Sequence, residues 1–140
     1  MDPMDKSYDV VGIGNAIVDV LVQANDDLID NFELTKGTMA LVDEHQAETL
    51  YAQVGPGLET SGGSAANTLA GVAQLGGRAG FIGRVRNDQL GGIFAHDIRS
   101  VGARFETPAA TEGPSTARCL ILVTPDAQRT MCTYLGASVG

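Results

Sequence analysis

The chain has 140 residues, a formal net charge of −8, two cysteines and 44% apolar residues. These values are typical of a globular domain that buries a core, and they argue against a disordered chain. The acids are scattered along the chain, no basic run is present, and no stretch approaches the roughly 20 apolar residues of a membrane span. We therefore expect neither a nucleic-acid partner nor a membrane partner.

The N-terminal residues and the cysteines indicate a cytoplasmic protein. Residues 1–6 contain no apolar signal region. Cys119 and Cys132 are the only cysteines, which is too few for the disulfide framework of a small secreted domain. Together with two widely spaced histidines they form no zinc motif. We expect reduced thiols and no metal ligands.

Short strands and one short helix are predicted for the first third of the chain. Residues 8–13 are a β-branched run typical of a buried strand, and residues 19–22 continue extended after a glycine break. Asp26 is predicted as the N-cap of a helix of one or two turns. Residues 38–42 form a short apolar run and are predicted as a strand.

The clearest helix is predicted over residues 43–54. Asp43 is followed three residues later by Gln46, which is the spacing of a capping box. Gly55 suits the left-handed stop of this helix, and Pro56-Gly57 suits a turn after it.

Two more helices and one strand are predicted before residue 103. An alanine-rich helix covers residues 64–75, and a short buried strand follows at residues 79–83. Asp88 is predicted to cap a third helix, which ends at Gly102. The alternation of strands and helices favours an α/β core with a parallel sheet.

The last third has a different character. Residues 118–124 and 128–135 are predicted as a strand pair joined by a turn at residues 124–127. The extended pieces near residues 19–42 and 117–135 do not fit the α/β alternation. They predict a separate small sheet, such as a flap over a binding site.

The segment Ser61-Gly62-Gly63-Ser64-Ala65-Ala66-Asn67 places two glycines at the start of the alanine-rich helix. Glycines let the backbone bend and a ligand approach closely, and a helix N-terminus provides free N–H groups. The Asn67 amide in this small, apolar helix needs a hydrogen-bond partner, which a bound molecule would supply. The alternative is a plain helix start. A P-loop is excluded because no lysine follows the glycines.

Asn15 and Asp19 lie four residues apart at the end of the first predicted strand, where α/β proteins bind ligands. An amide and a carboxylate can hold the hydroxyls of ribose or a hexose, although both residue types are also common in turns. The preceding Gly12-Ile13-Gly14 invites a dinucleotide interpretation. We disfavour it because Ile17 replaces the third glycine of that motif and no helix is predicted there.

The remaining candidate residues are mostly given structural roles. The histidines lie singly on predicted helices, the cysteines on predicted strands, and the arginines beside the Asp88 cap. They are His45, His96, Cys119, Cys132, Arg84 and Arg86. Surface or satisfied-core roles are expected of the histidines and packing of the cysteines, although Cys119 would line a pocket if the final strand pair covers one. For the arginines, turn stabilisation and ligand binding both stay open. No Ser-His-Asp or Cys-His constellation is supported.

Taken together, four collinear pieces of the chain resemble the ribokinase-like carbohydrate and nucleoside kinases, also called the phosphofructokinase-B type. The pieces are residues 12–19, 61–67, 83–91 and 125–136. Within that family the sequence is most similar to bacterial adenosine-kinase-type or general sugar-kinase members.

The resemblance implies the N-terminal part of an α/β/α sandwich with a small β-sheet lid. The core would comprise about residues 7–14 and 43–110, and the lid about residues 15–42 and 112–135. Residues 1–140 would then be the first part of a single kinase domain without its C-terminal, ATP-binding half. In some relatives the lid sheet is a dimer surface, which makes a homodimer through the lid an expectation.

The family transfers the γ-phosphate of ATP, with Mg²⁺, to a hydroxyl of a sugar or nucleoside. By resemblance, Asp19 grips the acceptor hydroxyls and Asn15 stands beside it. Gly62 and Gly63 correspond to the glycine pair that bends as the lid closes, and Asn67 to the amide on the sugar hydroxyls.

The catalytic base of the family is an aspartate in a Gly-Ala-Gly-Asp segment, and these 140 residues contain no such segment. We therefore assign no catalytic residue and expect the segment alone to turn over no ATP. One alternative is a non-catalytic fragment that binds a nucleoside or sugar. The other is a dinucleotide-dependent oxidoreductase.

Overall fold

The computed structural model describes residues 7–54 and 57–140. The helix stop predicted at Gly55 and the Pro56 of the predicted turn lie outside the described residues. In chain order, the described residues form β1 (Val10–Ile13), β2 (Ile17–Gln23), α1 (Asp26–Asn31), β3 (Met39–Leu41), α2 (Glu44–Gln53), β4 (Leu58–Gly62), α3 (Ser64–Gln74), β5 (Ala79–Ile82), α4 (Gln89–Ser100), β6 (Arg104–Phe105), β7 (Ala117–Val123), β8 (Arg129–Tyr134) and a 3₁₀ turn (Gly136–Val139).

The first sheet is parallel and has the strand order β1-β5-β6. Helix α3 packs against β1 and β5, and α4 contacts β6. Phe81, Phe94 and Phe105 bring their rings together beneath α4, with centroids 5.2 to 6.1 Å apart. This layering of helices on a parallel sheet confirms the predicted α/β class.

The opposite face of the first sheet carries exposed apolar side chains. Val11, Ile13 and Ile82 are 49%, 78% and 46% exposed. Parallel sheets normally have both faces covered by other elements. Among the described residues, this apolar face of the first sheet is not fully covered.

The second sheet is mixed and has the strand order β3-β8-β7-β2-β4 in the described part of the chain. Strand β2 pairs in parallel with β7 and antiparallel with β4. The separate small sheet is therefore confirmed. Strand β4 was not predicted, because its sequence Leu-Glu-Thr-Ser-Gly lacks the apolar alternation of a half-buried strand.

Side chains of the second sheet alternate between a buried and an open face. Val18, Val20, Leu120 and Leu122 are at most 1% exposed and belong to the core. Asp19 lies on the open face, beside its β7 neighbour in the strand register. Helix α4 contacts β2 and β4 as well as β6, so it joins the two sheets.

The predicted caps of α2 and α4 are confirmed. At α2, Asp43 accepts the N–H of Gln46 at 2.8 Å, and the Gln46 side chain accepts the N–H of Asp43 at 3.0 Å. At α4, the Asp88 side chain accepts the N–H of Gly91 at 2.8 Å. No helix within residues 7–54 or 57–140 has both the length and the hydropathy to cross a membrane.

The predicted N-cap of α1 is wrong by one residue. Asn25 has extended backbone angles and its side chain accepts the N–H of Leu28 at 2.9 Å. Asp26 is the first helical residue, and its carboxylate binds the Lys36 ammonium at 2.8 Å. Asn and Asp are nearly equal as N-caps, so local sequence does not separate two adjacent candidates.

Candidate functional site

Four of the residues singled out in the sequence lie together where β2, β4 and α3 meet. Asn15 belongs to the connection between β1 and β2, and Asp19 lies on β2. Gly62 ends β4, and Gly63 is the N-cap of α3. They meet in two pairs, Asp19 with Gly62 and Asn15 with Gly63.

The Asp19 carboxylate lies against the α-carbon of Gly62. In the antiparallel register Gly62 is opposite Ile17 and Thr60 is opposite Asp19, so Asp19 and Gly62 are diagonal neighbours. A β-carbon added at Gly62 would overlap all three terminal atoms of the Asp19 carboxylate. Any side chain at position 62 would therefore displace the carboxylate.

Gly63 is required at its position for two reasons. Its φ of +92° lies in the region that favours glycine. A β-carbon there would also lie 2.8 Å from the carbonyl oxygen of Asn15. The backbone of the β1–β2 connection is thus packed directly against the start of α3.

Asp19 is a half-buried carboxylate, and burial raises its pKa from the ordinary value because desolvation disfavours the charged form. With the other described residues it forms no hydrogen bond and no ion pair. Such a group gains from hydrogen-bond donors that a bound molecule brings.

Asn67 lies in the first turn of α3, where its N–H donates to the Gly63 carbonyl at 2.9 Å. Its side chain is exposed and makes no hydrogen bond to another described residue. Water can therefore satisfy the Asn67 amide, so its hydrogen-bonding needs do not by themselves require a bound molecule. No side chain forms a capping hydrogen bond at the start of α3. The first N–H groups of the helix are therefore not satisfied by a side-chain cap.

Asp88 and Thr116 form a structural hydrogen-bond cluster beside α4. The Asp88 carboxylate accepts the Thr116 N–H at 3.0 Å and the Thr116 hydroxyl at 2.6 Å. Burial alone would raise the pKa of Asp88, but these bonds and the one from Gly91 lower it overall. The Arg86 guanidinium donates to the Gly113 carbonyl, which supports a turn-stabilising role for Arg86.

Both cysteines are buried in the second sheet. Thr133 donates its hydroxyl to the Cys119 sulfur at 3.4 Å, and burial raises the pKa of Cys119. Burial, together with the nearby Cys119, raises the pKa of Cys132 to about 11. A thiol with a raised pKa is a poor nucleophile, so the packing roles expected of the two cysteines are supported. Cys132 and His45 both line a cavity of about 150 Å³.

Sequence reasoning missed Asp97 of α4. Its carboxylate accepts the N–H of Ser61 at 2.9 Å, immediately before the two glycines. The two residues are 36 positions apart, so no local motif signals the contact. Among the residues described, no group of three or more His, Cys, Asp or Glu side chains could hold a metal ion.

The fold is shared with sugar and nucleoside kinases along nearly all of this chain. A probable sugar kinase from Rhizobium etli CFN 42 is 51% identical, with a TM-score of 0.84 over 95% of this chain and 40% of that chain. An adenosine kinase from Sinorhizobium meliloti is 50% identical, with a TM-score of 0.83 over 96% of this chain and 41% of that chain. The fold is thus ribokinase-like, and the chain spans about 40% of the length of these two structural relatives.

Residues 37–139 match the family model described as pfkB family carbohydrate kinase, and the chain belongs to that family. Probable fructokinase-3 of Arabidopsis thaliana is 33% identical over 81 residues, which are 58% of this chain and 24% of that protein. The predicted resemblance and the α/β fold class are confirmed, and the family is one of kinases.

Proposed function

We propose that the chain is the acceptor-binding part of a kinase that transfers a phosphoryl group from ATP to a hydroxyl of a sugar or nucleoside. The observation that carries the proposal is the half-buried Asp19 carboxylate, which lies against Gly62 and has no hydrogen-bond partner among the described residues. Membership of a kinase family supports the reaction class.

Asp19 would accept hydrogen bonds from neighbouring hydroxyls of the acceptor. Both carboxylate oxygens accept, and charge-assisted bonds are about twice as strong as neutral ones. Asn15 and Asn67 have exposed side chains on either side of the glycine pair and would bind further hydroxyls. Gly62 and Gly63 would let β4 turn relative to α3 when the second sheet closes as a lid and excludes water.

The proposal keeps the division into core and lid that the resemblance implies, except that residues 58–62 leave the core for the lid. Strand β4, residues 58–62, pairs with β2 and so would move with the lid. The diglycine would then be the point where the lid joins the core, because α3 packs on the first sheet.

ATP and Mg²⁺ would bind mostly to residues outside this segment, and the catalytic base would also lie there. The length of the chain supports this, because it spans about 40% of its structural relatives. In a kinase the metal neutralises charge on the transferred phosphoryl group. We expect the 140-residue segment alone to release no ADP in the presence of acceptor.

A homodimer through the lid is also part of the proposal. The open face of the second sheet carries exposed apolar side chains on β2, β3 and β4. They are Leu21, Met39, Leu41 and Leu58, which are 36 to 66% exposed. A second copy of the sheet would cover them, and sedimentation of the Leu41→Ser variant against the wild type tests this.

The acceptor is tested by calorimetric titration of the full gene product that carries this sequence with adenosine, ribose and fructose. Asp19→Ala should weaken binding of the preferred acceptor about tenfold or more, because hydrogen bonds to charged groups contribute about 1.5–3 kcal/mol. Asp27→Ala removes an exposed carboxylate of α1 and should leave binding unchanged. Unchanged affinity and rate in Asp19→Ala would remove this site from the proposal.

A further inference from the structure

We infer that Asp97 is a positioning residue for the acceptor site: it holds the end of β4 so that Gly62 lies against the Asp19 carboxylate. The inference deepens the proposed function and rests on it. Asp97 touches no acceptor atom in this scheme and acts through the backbone of Ser61.

The contact joins a helix of the core to the outermost strand of the second sheet. Asp97 Oδ2 accepts the Ser61 N–H at 2.9 Å, and Asp97 is half-buried. Strand β4 is the edge of its sheet, where backbone N–H groups lack a neighbouring strand. Asp97 therefore supplies a charged acceptor that the sheet does not, and such bonds are among the stronger ones in proteins.

The restrained amide immediately precedes the residues that shape the site. Gly62 is the next residue and has the Asp19 carboxylate against its α-carbon. Gly63 follows with its left-handed φ of +92°. Glycine pairs are otherwise free to sample many backbone conformations, so a fixed Ser61 limits the bending to Gly62 and Gly63 themselves.

The helix that carries Asp97 is a rigid support. Phe94 and Ile98, on either side of Asp97 in α4, are 0% and 1% exposed. The start of the helix is held by the hydrogen bonds of Asp88. Sites held by packed elements keep their geometry better than sites on loops, so Asp97 is well placed to set the position of β4.

The test compares Asp97→Ala, Asp97→Asn and the control Glu48→Ala in the full gene product. Asp97→Asn keeps an acceptor oxygen and guards against a variant that fails to fold. Glu48→Ala removes an exposed carboxylate of the helix α2, which does not carry Asp97. The readouts are amide hydrogen exchange at Ser61 and the KM for the acceptor measured separately from kcat.

In Asp97→Ala, exchange at Ser61 should accelerate about tenfold or more, and the acceptor KM should rise several-fold with a smaller change in the KM for ATP. Asp97→Asn should retain most of the wild-type behaviour, and Glu48→Ala all of it. Unchanged exchange at Ser61 in Asp97→Ala would overturn the inference and leave the proposed function intact.

The acceptor measurements separate the two proposals. If exchange accelerates in Asp97→Ala while the acceptor KM stays constant, and Asp19→Ala still raises that KM, then Asp97 does not position the site and the inference fails alone. If neither Asp19→Ala nor Asp97→Ala changes the acceptor KM, the proposed site fails and the inference fails with it.

Discussion

The carboxylate of Asp19 occupies the space that a β-carbon at Gly62 would need. Gly62→Ala should therefore push the carboxylate away from β4 and weaken acceptor binding about tenfold, a change comparable to loss of the Asp19 side chain. Calorimetric titration of the full gene product with its acceptor measures the change.

Gly92→Ala is the matched control for this substitution. Gly92 lies in α4, and a β-carbon there meets nothing within 4 Å. Replacing a helical glycine by alanine should stabilise the protein by about 0.5–1 kcal/mol and leave acceptor binding as it is. Equal acceptor affinity in Gly62→Ala and Gly92→Ala would contradict the steric argument.

Gly63→Ala should lower the free energy of unfolding more than Gly76→Ala. Both glycines have nearly the same left-handed φ, +92° and +91°, so both variants incur a backbone cost of about 1–2 kcal/mol. Only at Gly63 would the new β-carbon also lie 2.8 Å from a backbone oxygen, that of Asn15. Urea unfolding of the two variants measures the difference, and equal values would show that the backbone of Asn15 can yield.

Burial gives Asp19 a pH-dependent effect on stability. Its pKa in the folded protein is raised above the ordinary value of 3.8, so its contribution to stability is present below that value and is lost as the pH rises through the folded-state pKa. Asp19→Asn removes this loss. The variant should be more stable than the wild type near neutral pH, and the difference should shrink below pH 3.8.

Urea unfolding as a function of pH checks this expectation. A wild type that is more stable than Asp19→Asn near neutral pH would mean that the carboxylate is stabilised by a partner in the folded protein. Protonation of Asp19 should also weaken binding of the sugar or nucleoside as the pH falls through the raised pKa of Asp19. The protonated acid accepts hydrogen bonds less strongly than the carboxylate does.

Asp126 should show the opposite pH dependence. Its carboxylate binds the Lys36 ammonium at 2.6 Å, and the bonds from Lys36 and Thr124 lower its pKa to about 2. Its stabilising effect is therefore present above the ordinary value of 3.8 and is lost as the pH falls through about 2. Asp126→Asn should be less stable than wild type near neutral pH, and the two should be equally stable below a pH of about 2.

High salt should reduce the effect of Asp126→Asn, because the pair with Lys36 is exposed and screened. Asp27→Asn, an exposed change in α1 without such a pair, serves as the control. A difference between Asp126→Asn and wild type that persists in high salt would point to the bond from Thr124 as the stronger contribution.

Features that depend on neighbours in the chain were predicted well. The capping box of α2 and the cap of α4 each involve residues three positions apart, so the sequence displays both partners. The α/β class followed from the alternation of strands with helices, which is also a local pattern.

Features that depend on distant segments were missed. Strand β4 is polar along most of its length and becomes a strand by pairing with β2, about forty residues earlier in the chain. The contact of Asp97 with Ser61 and the exposure of Asn67 follow from how α4 and α3 pack, which composition does not reveal. The close approach of Asp19 to Gly62 was inferred only as a shared site, since the register that creates it is a property of the folded sheet.

The two outer strands of the second sheet are protected to different degrees. At β4 a carboxylate from α4 already occupies a backbone donor, whereas β3 is a three-residue strand with Met39 and Leu41 more than half exposed. Its short length limits how many hydrogen bonds a foreign polypeptide could gain there. Despite that limit, edge-to-edge strand addition should start at β3, because the apolar side chains of Met39 and Leu41 are exposed there. A charged residue in place of Met39 should suppress it.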